Sequence, residues 1–138
     1  MSIHFVTSNA GKFQEAQAII PELKQVDLDL PEIQGLDPKK IIEHKLIKAQ
    51  ELQQGSLVVG DTSLSMSALK GLPGPLIKWF LKTIGVEGLA EIAQQKQDSQ
   101  AVAKVVLGYA DDQGQIQFFE GKISGRIVEP RGEKTSLH

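Results

Sequence analysis

Strand-like and helix-like stretches alternate along the whole chain, and that alternation predicts a mixed α/β fold whose twisted sheet is shared by two lobes around a central cleft. Two further observations set its scale. A chain of 138 residues with 41% hydrophobic content can bury one respectable core, so residues 1–138 are expected to form a single domain. A short apolar run at residues 57–59 then stops at Gly60-Asp61-Thr62. A buried strand that ends in this way delivers a carboxylate to the point where rigid scaffold meets solvent.

Ile3–Val6 reads as the first strand, and residues 10–20 as a helix with Phe13, Ala16 and Ile20 on one face. Between them lies Thr7-Ser8-Asn9-Ala10-Gly11-Lys12. A strand running through small polar residues into a helix presents backbone N–H groups and the positive end of the helix dipole, which favour phosphate, and Lys12 adds a full charge. The spacing is not that of a Walker loop, and Ser8 or Asn9 serves equally well as an ordinary N-cap. Residues 23–30 look like a second strand, with Val26, Leu28 and Leu30 alternating against Asp27 and Asp29. Asp37 is the expected N-cap and Pro38 the first residue of a long helix reaching about Gln54, with Ile42, Leu46 and Ala49 as its buried stripe and Gly55 as its stop. Lys45 lies beside that stripe, so it can reach the edge of the packed face. Lys39, Lys40 and Lys48 are expected in solvent, as is His44, a lone helical histidine with no ligand partner at i+4.

Gly71-Leu72-Pro73-Gly74-Pro75 crowds two glycines and two prolines into one short turn, fixing a single backbone path before a helix over residues 75–84. A second helix, 86–95, follows Gly85. Residues 101–109 alternate in a β period, Asp111-Asp112-Gln113-Gly114 is a hairpin turn rather than a metal pair, and strands are expected at 116–120 and 121–128. There are no internal repeats, low-complexity tracts or linkers.

The formal charge of −2 and a pI near 5.9 argue against a nucleic-acid binder, which needs a basic face. A free nucleotide needs only a few local cations. With no cysteine, disulfide and thiolate chemistry are excluded. The N-terminus has no basic region followed by an apolar run, and no stretch approaches a membrane span, so no membrane partner is expected and cytoplasm is the simplest address.

The run GLPGPLIKWF, preceded by a strand ending in Asp61-Thr62, resembles the inosine triphosphate pyrophosphatase family, enzymes that clear non-standard purine nucleotides, and most of all its eukaryotic type. TSNAGK is similar to that family's Thr-x-Asn-x-x-Lys motif, DLPEIQG to a second signature, and GRIVEPRG to a third. The resemblance implies an inosine triphosphate pyrophosphatase-like fold and hydrolysis of nucleoside triphosphates between the α and β phosphorus atoms. It implies that Thr7, Asn9, Lys12, Lys45 and Thr62 bind substrate, that Glu32 and Asp61 hold magnesium or manganese, and that Asp61 activates the attacking water. Two departures stand out. Gly60 occupies a position where the family carries an acid. Family members also continue past Pro-Arg-Gly into Phe-x-Trp-Asp and Ser-His-Arg motifs that grip the purine, whereas this chain ends Glu133-Lys134-Thr135-Ser136-Leu137-His138. The alternative expectation is therefore a catalytically weak or inert homologue that binds nucleotide or assembles with itself. A homodimer is expected in either case, because the shortened terminus leaves apolar surface and a strand edge uncovered.

Overall fold

The computed structural model describes residues 2–129. The C-terminal residues on which the expected loss of the base-binding segment rests, and the end of the GRIVEPRG run, lie outside the described residues. The chain divides into two compact units. Residues 2–33, Asp37–Asp61 and Val106–Phe119 make the first, and Gln34–Leu36, Thr62–Val105 and residues 120–129 the second.

In the first unit β1 (Ile3–Val6) is followed by α1 (Ala10–Ile19), β2 (Leu23–Val26) and α2 (Pro38–Leu52). β1 pairs in parallel with β2 from Ile3↔Leu23 to Val6↔Val26, and with β3 (Ser56–Met66) from Ile3↔Ser56 to Phe5↔Val58. β2 is thus shorter than its alternating pattern predicts. Its partner β1 has only four residues, so pairing ends at Val26; Leu28 and Leu30 alternate because they pack on the core, not because they pair. In α1, Phe13 and Ala16 are half-buried, but Ile20 is exposed and caps the helix from outside it.

α2 forms as its sequence demands. Asp37 accepts a hydrogen bond from the Lys39 N–H at 3.0 Å, and Pro38 opens the helix. Ile42, Leu46 and Ala49 are fully buried against Leu57, Val59, Val106 and Ala110. The closest approach is at Gly108 of β5 (Gln100–Ala110). A Cβ there would run into Ile42 Cγ2 and stand 2.9 Å from Leu46 Cδ1, so only glycine lets the helix seat. His44 departs from expectation: it is half-buried and its Nδ1 is enclosed without a partner.

β3 is the main correction. The strand does not stop at Gly60-Asp61-Thr62 but carries all three within an eleven-residue run. Pairing with β1 ends at Val58, so the turn-forming residues are held extended here by β5, which lies beside Gly60. The hydrogen-bonded order is β2-β1-β3-β5 and then a last strand at Ile116–Arg126, β6, with β4 (Pro73–Gly74) antiparallel to the end of β3 through Leu64↔Gly74. β6 is likewise one strand, not two broken at Gly121. The fold is therefore mixed α/β with a mixed sheet, and β3, β5 and β6 contribute residues to both units.

The second unit adds α3 (Ile77–Thr83) and α4 (Gly85–Gln95) after the glycine- and proline-rich turn. Gly74 and Gly85 take positive φ values of 56° and 69°, so glycine is favoured where the chain leaves β4 and again where it opens α4. Met66, Leu89, Ala93 and Ala101 form its core, with Leu64, Phe80 and Leu81 packed around them. The turn joining β5 to β6 is tied by Asp111, whose carboxylate accepts from the N–H groups of Gln113 and Gln115, both at 2.9 Å. Asp111 is thus a turn former, as expected.

Candidate active site

Side chains alternate along a strand, so Asp61 shares a face with Leu57 and Val59, the two β3 residues buried in the first core together with Ile42, Leu46 and Ala49 of α2. It continues the buried stripe outward and places a carboxylate where the apolar cover thins. Its Oδ2 is enclosed with no hydrogen-bond partner. Burial, the largest influence, raises its pKa from 3.8 to about 6; Lys45 opposes that rise, Glu32 reinforces it, and Lys12 opposes it again. These three charged groups, drawn from α2, from the segment after β2 and from the first turn of α1, therefore act together on one carboxylate.

Each arrives by a local cause. Lys45 stands between Ile42 and Leu46 on the buried side of α2, which leaves its side chain only 17% exposed. Leu28 and Leu30 pack on the first core and draw the following residues with them. Glu32 then meets Lys45, with Lys45 Nζ 2.9 Å from Glu32 Oε1. The approach to Lys12 is built by short polar contacts. The Asn9 N–H donates to Thr7 Oγ1 at 3.1 Å, and the Lys12 N–H donates to Asn9 Oδ1 at 3.1 Å, making Asn9 the N-cap of α1. Both capping contacts use oxygen as acceptor. The Thr7 hydroxyl and the Asn9 amide thus keep their donor hydrogens for an anion.

Thr62 differs from the others. As the next residue on β3 it sends its side chain to the opposite face from Asp61, and it is assigned to the second unit. Gly60 lies close to β5, where a Cβ would come within 3.0 Å of Leu107 Cδ2. One positioning residue escapes sequence reading altogether. Gln25 donates from Nε2 to the Thr7 carbonyl at 3.0 Å while the Thr7 N–H donates to the Val26 carbonyl at 3.1 Å, so β2 holds the Thr7 loop from both sides. A groove of about 310 Å³ in the second unit, lined by residues such as Gln97, Asp98 and Arg126, contains none of these side chains.

An α/β fold with this mixed sheet is that of Ham1 proteins of known structure. The Staphylococcus aureus Ham1 protein superposes with a TM-score of 0.81 over 99% of this chain and 77% of its own, at 19% identity. A HAM1 protein from Coxiella burnetii gives 0.76 over 98% and 77%, at 20% identity. The chain belongs to the Ham1 family, whose family model matches residues 3–136. It is similar to the inosine triphosphate pyrophosphatase of Ajellomyces capsulatus, 40% identical over 95% of this chain and 73% of that one. The protein of the same name from Neurospora crassa is 42% identical over 94% of this chain and 70% of that one. Among the described residues no helix is long and apolar enough to cross a membrane.

Proposed function

We propose that the chain is a nucleoside triphosphate pyrophosphatase that cleaves between the α and β phosphorus atoms, releasing monophosphate and pyrophosphate, with purine triphosphates of the inosine type as substrates. The observation that carries this reading is the Asp61 carboxylate, enclosed on one oxygen and raised to a pKa of about 6 beside two lysines. Such a group is mostly ionised at pH 7 yet more basic than an exposed aspartate. That balance suits it to orient a water molecule and take its proton. Lys12, the Thr7 hydroxyl and the Asn9 amide supply donors for phosphate oxygens, and Lys45 supplies a second cation beside them. The relatives, each named for inosine triphosphate, support the same chemistry.

The donor set fits a hard divalent cation. Glu32 and Asp61 offer carboxylate oxygens, and Asp61 Oδ2 has no partner. Magnesium and manganese are commonly held by one or two carboxylates, with water and substrate phosphate completing the shell. Magnesium or manganese held there would neutralise phosphate charge. The ion pair between Lys45 and Glu32 balances both groups until substrate supplies an anion for the lysine.

Gly60 favours a second reading, a catalytically weak or inert nucleotide-binding homologue, because it offers only hydrogen where the resemblance calls for an acid. The two are separated by measuring pyrophosphate release from inosine, xanthosine, adenosine and guanosine triphosphates with magnesium, for wild type and Asp61→Asn. We expect release by wild type, and a loss of about 10²- to 10⁴-fold in the variant with nucleotide binding retained. No release above a no-enzyme control would leave the inert reading. An Asp61→Asn variant as active as wild type would remove Asp61 from the chemistry.

A further inference from the structure

Residues 31–36 follow β2 and carry Glu32, yet none of them is buried and none lies in a helix or strand. An acid on such a segment keeps its place only where side chains pin it from outside. Glu32 has Lys45 at 2.9 Å. Two residues on, Gln34 meets Trp79 of α3, whose indole N–H donates to Gln34 Oε1 at 2.9 Å. Gln34 and Trp79 belong to the same compact unit, and they come from two of the runs that carry the family resemblance, DLPEIQG and GLPGPLIKWF. The indole is itself held. Lys78 and Lys82 each set an ammonium group 5.5 Å from its ring centre, so a ring that is 46% exposed has cations against it.

We infer that Trp79 is a positioning residue for Glu32: its indole N–H fixes Gln34, and through Gln34 the segment that presents the Glu32 carboxylate. An indole N–H can only donate, so it selects the amide oxygen of Gln34 and with it one orientation of that side chain. Two residues span at most about 7 Å of chain, so the anchor acts close to the carboxylate it steadies. The ion pair with Lys45 is the contact that substrate would loosen, since substrate offers the lysine an anion. The bond from Trp79 is neutral and takes no part in that exchange. It therefore keeps Glu32 in place while Lys45 turns to phosphate. The inference rests on the reading of Glu32 as a metal ligand and not on the rate of the reaction.

The test compares wild type with Trp79→Phe, which keeps a ring for both lysines but removes the donor, and with Gln34→Leu, which removes the acceptor. Both positions are exposed, and circular dichroism checks that each variant folds. Trp79 is the only tryptophan, so it gives a single indole N–H resonance. Gln34→Leu is expected to shift that resonance and speed its exchange with solvent. Manganese binding without nucleotide, read from the electron paramagnetic resonance of the free ion, is expected to weaken about 2- to 10-fold in either variant, the loss of one neutral hydrogen bond. Trp79→Phe should add nothing in a Gln34→Leu background. Either variant should also raise the magnesium concentration for half-maximal pyrophosphate release by a similar factor, with a smaller change in kcat once metal saturates. A merely structural role would lower kcat at every metal concentration. Manganese affinity unchanged in both variants, losses that add, or an indole resonance indifferent to Gln34→Leu would overturn the inference. Manganese binding with the expected dependence in a protein that releases no pyrophosphate would end the proposed activity and leave the positioning role of Trp79 standing.

Discussion

Asp61 holds its charge against the fold's preference, and that has a measurable consequence for stability. Its folded pKa of about 6 lies above the ordinary 3.8, so the native state binds the proton more tightly than the unfolded chain does. Stability from this group is present below pH 3.8 and is lost as pH rises towards 6. Asp61→Asn removes the titration, so we expect the variant to match wild type near pH 4, gain on it through this window, and level off above about pH 7. The expected gain is about 1–2 kcal/mol. The full shift, at about 1.4 kcal/mol per unit, gives the ceiling, and solvent screening of the partly open group reduces it. Denaturant titrations at several pH values would check this, and a difference independent of pH would refute it. Gly60 belongs to the same scale. A glutamate there must first displace the Leu107 side chain, whose free end is the nearest atom. Strand alternation sends a side chain at position 60 to the face opposite Asp61, so we expect Gly60→Glu to leave magnesium-dependent pyrophosphate release unchanged, and a clear gain would overturn that placement.

At the scale of elements, the site depends on how closely α2 rides on β5. Gly108 sets that distance, and Lys45 lies on the helix between the two residues that touch it, Ile42 and Leu46. Gly108→Ala would push against the branched Cγ2 of Ile42, which cannot swing aside as a chain end can. We expect a loss of about 1–3 kcal/mol from overpacking, together with reduced pyrophosphate release as Lys45 is carried away from Asp61. A variant with unchanged melting temperature would show that the helix yields easily. The same element explains what the sequence made legible. The period of Ile42, Leu46 and Ala49 and the cap at Asp37 located α2 correctly and put Lys45 beside its stripe. Gly108 carried no signal, because a glycine within an alternating strand reads only as a weak strand residue.

At the scale of the molecule, three uninterrupted strands, β3, β5 and β6, run through both units. A break in one unit must therefore disturb strands of the other, which predicts one cooperative unfolding transition. The chain carries its own reporters. Its single tryptophan, Trp79, belongs to the second unit, and its single tyrosine, Tyr109, hydrogen-bonds Ser56 in the first at 3.3 Å. Tryptophan fluorescence and tyrosine absorbance should give coincident denaturation curves, and separated midpoints would mean that the units unfold independently.

The sequence by itself determined the elements whose causes are local: the helix cap at Asp37, the buried stripe of α2, a cap at Ser8 or Asn9 before α1, the Asp111 turn, and a chain of motifs that marked the family. Each depends on side chains within a few residues of one another, so spacing alone reveals it. Only the tertiary structure decided that β3 runs on through Gly60-Asp61-Thr62, because a strand neighbour, not local propensity, holds turn formers extended. It alone placed Asp61 on the α2 side of that strand, joined Lys45 to Glu32 at 2.9 Å, and tied Thr7 to Gln25. The raised proton affinity of Asp61 belongs to the same class. Burial and the field of distant charges exist only once residues far apart in the chain are brought together, and no local pattern encodes them.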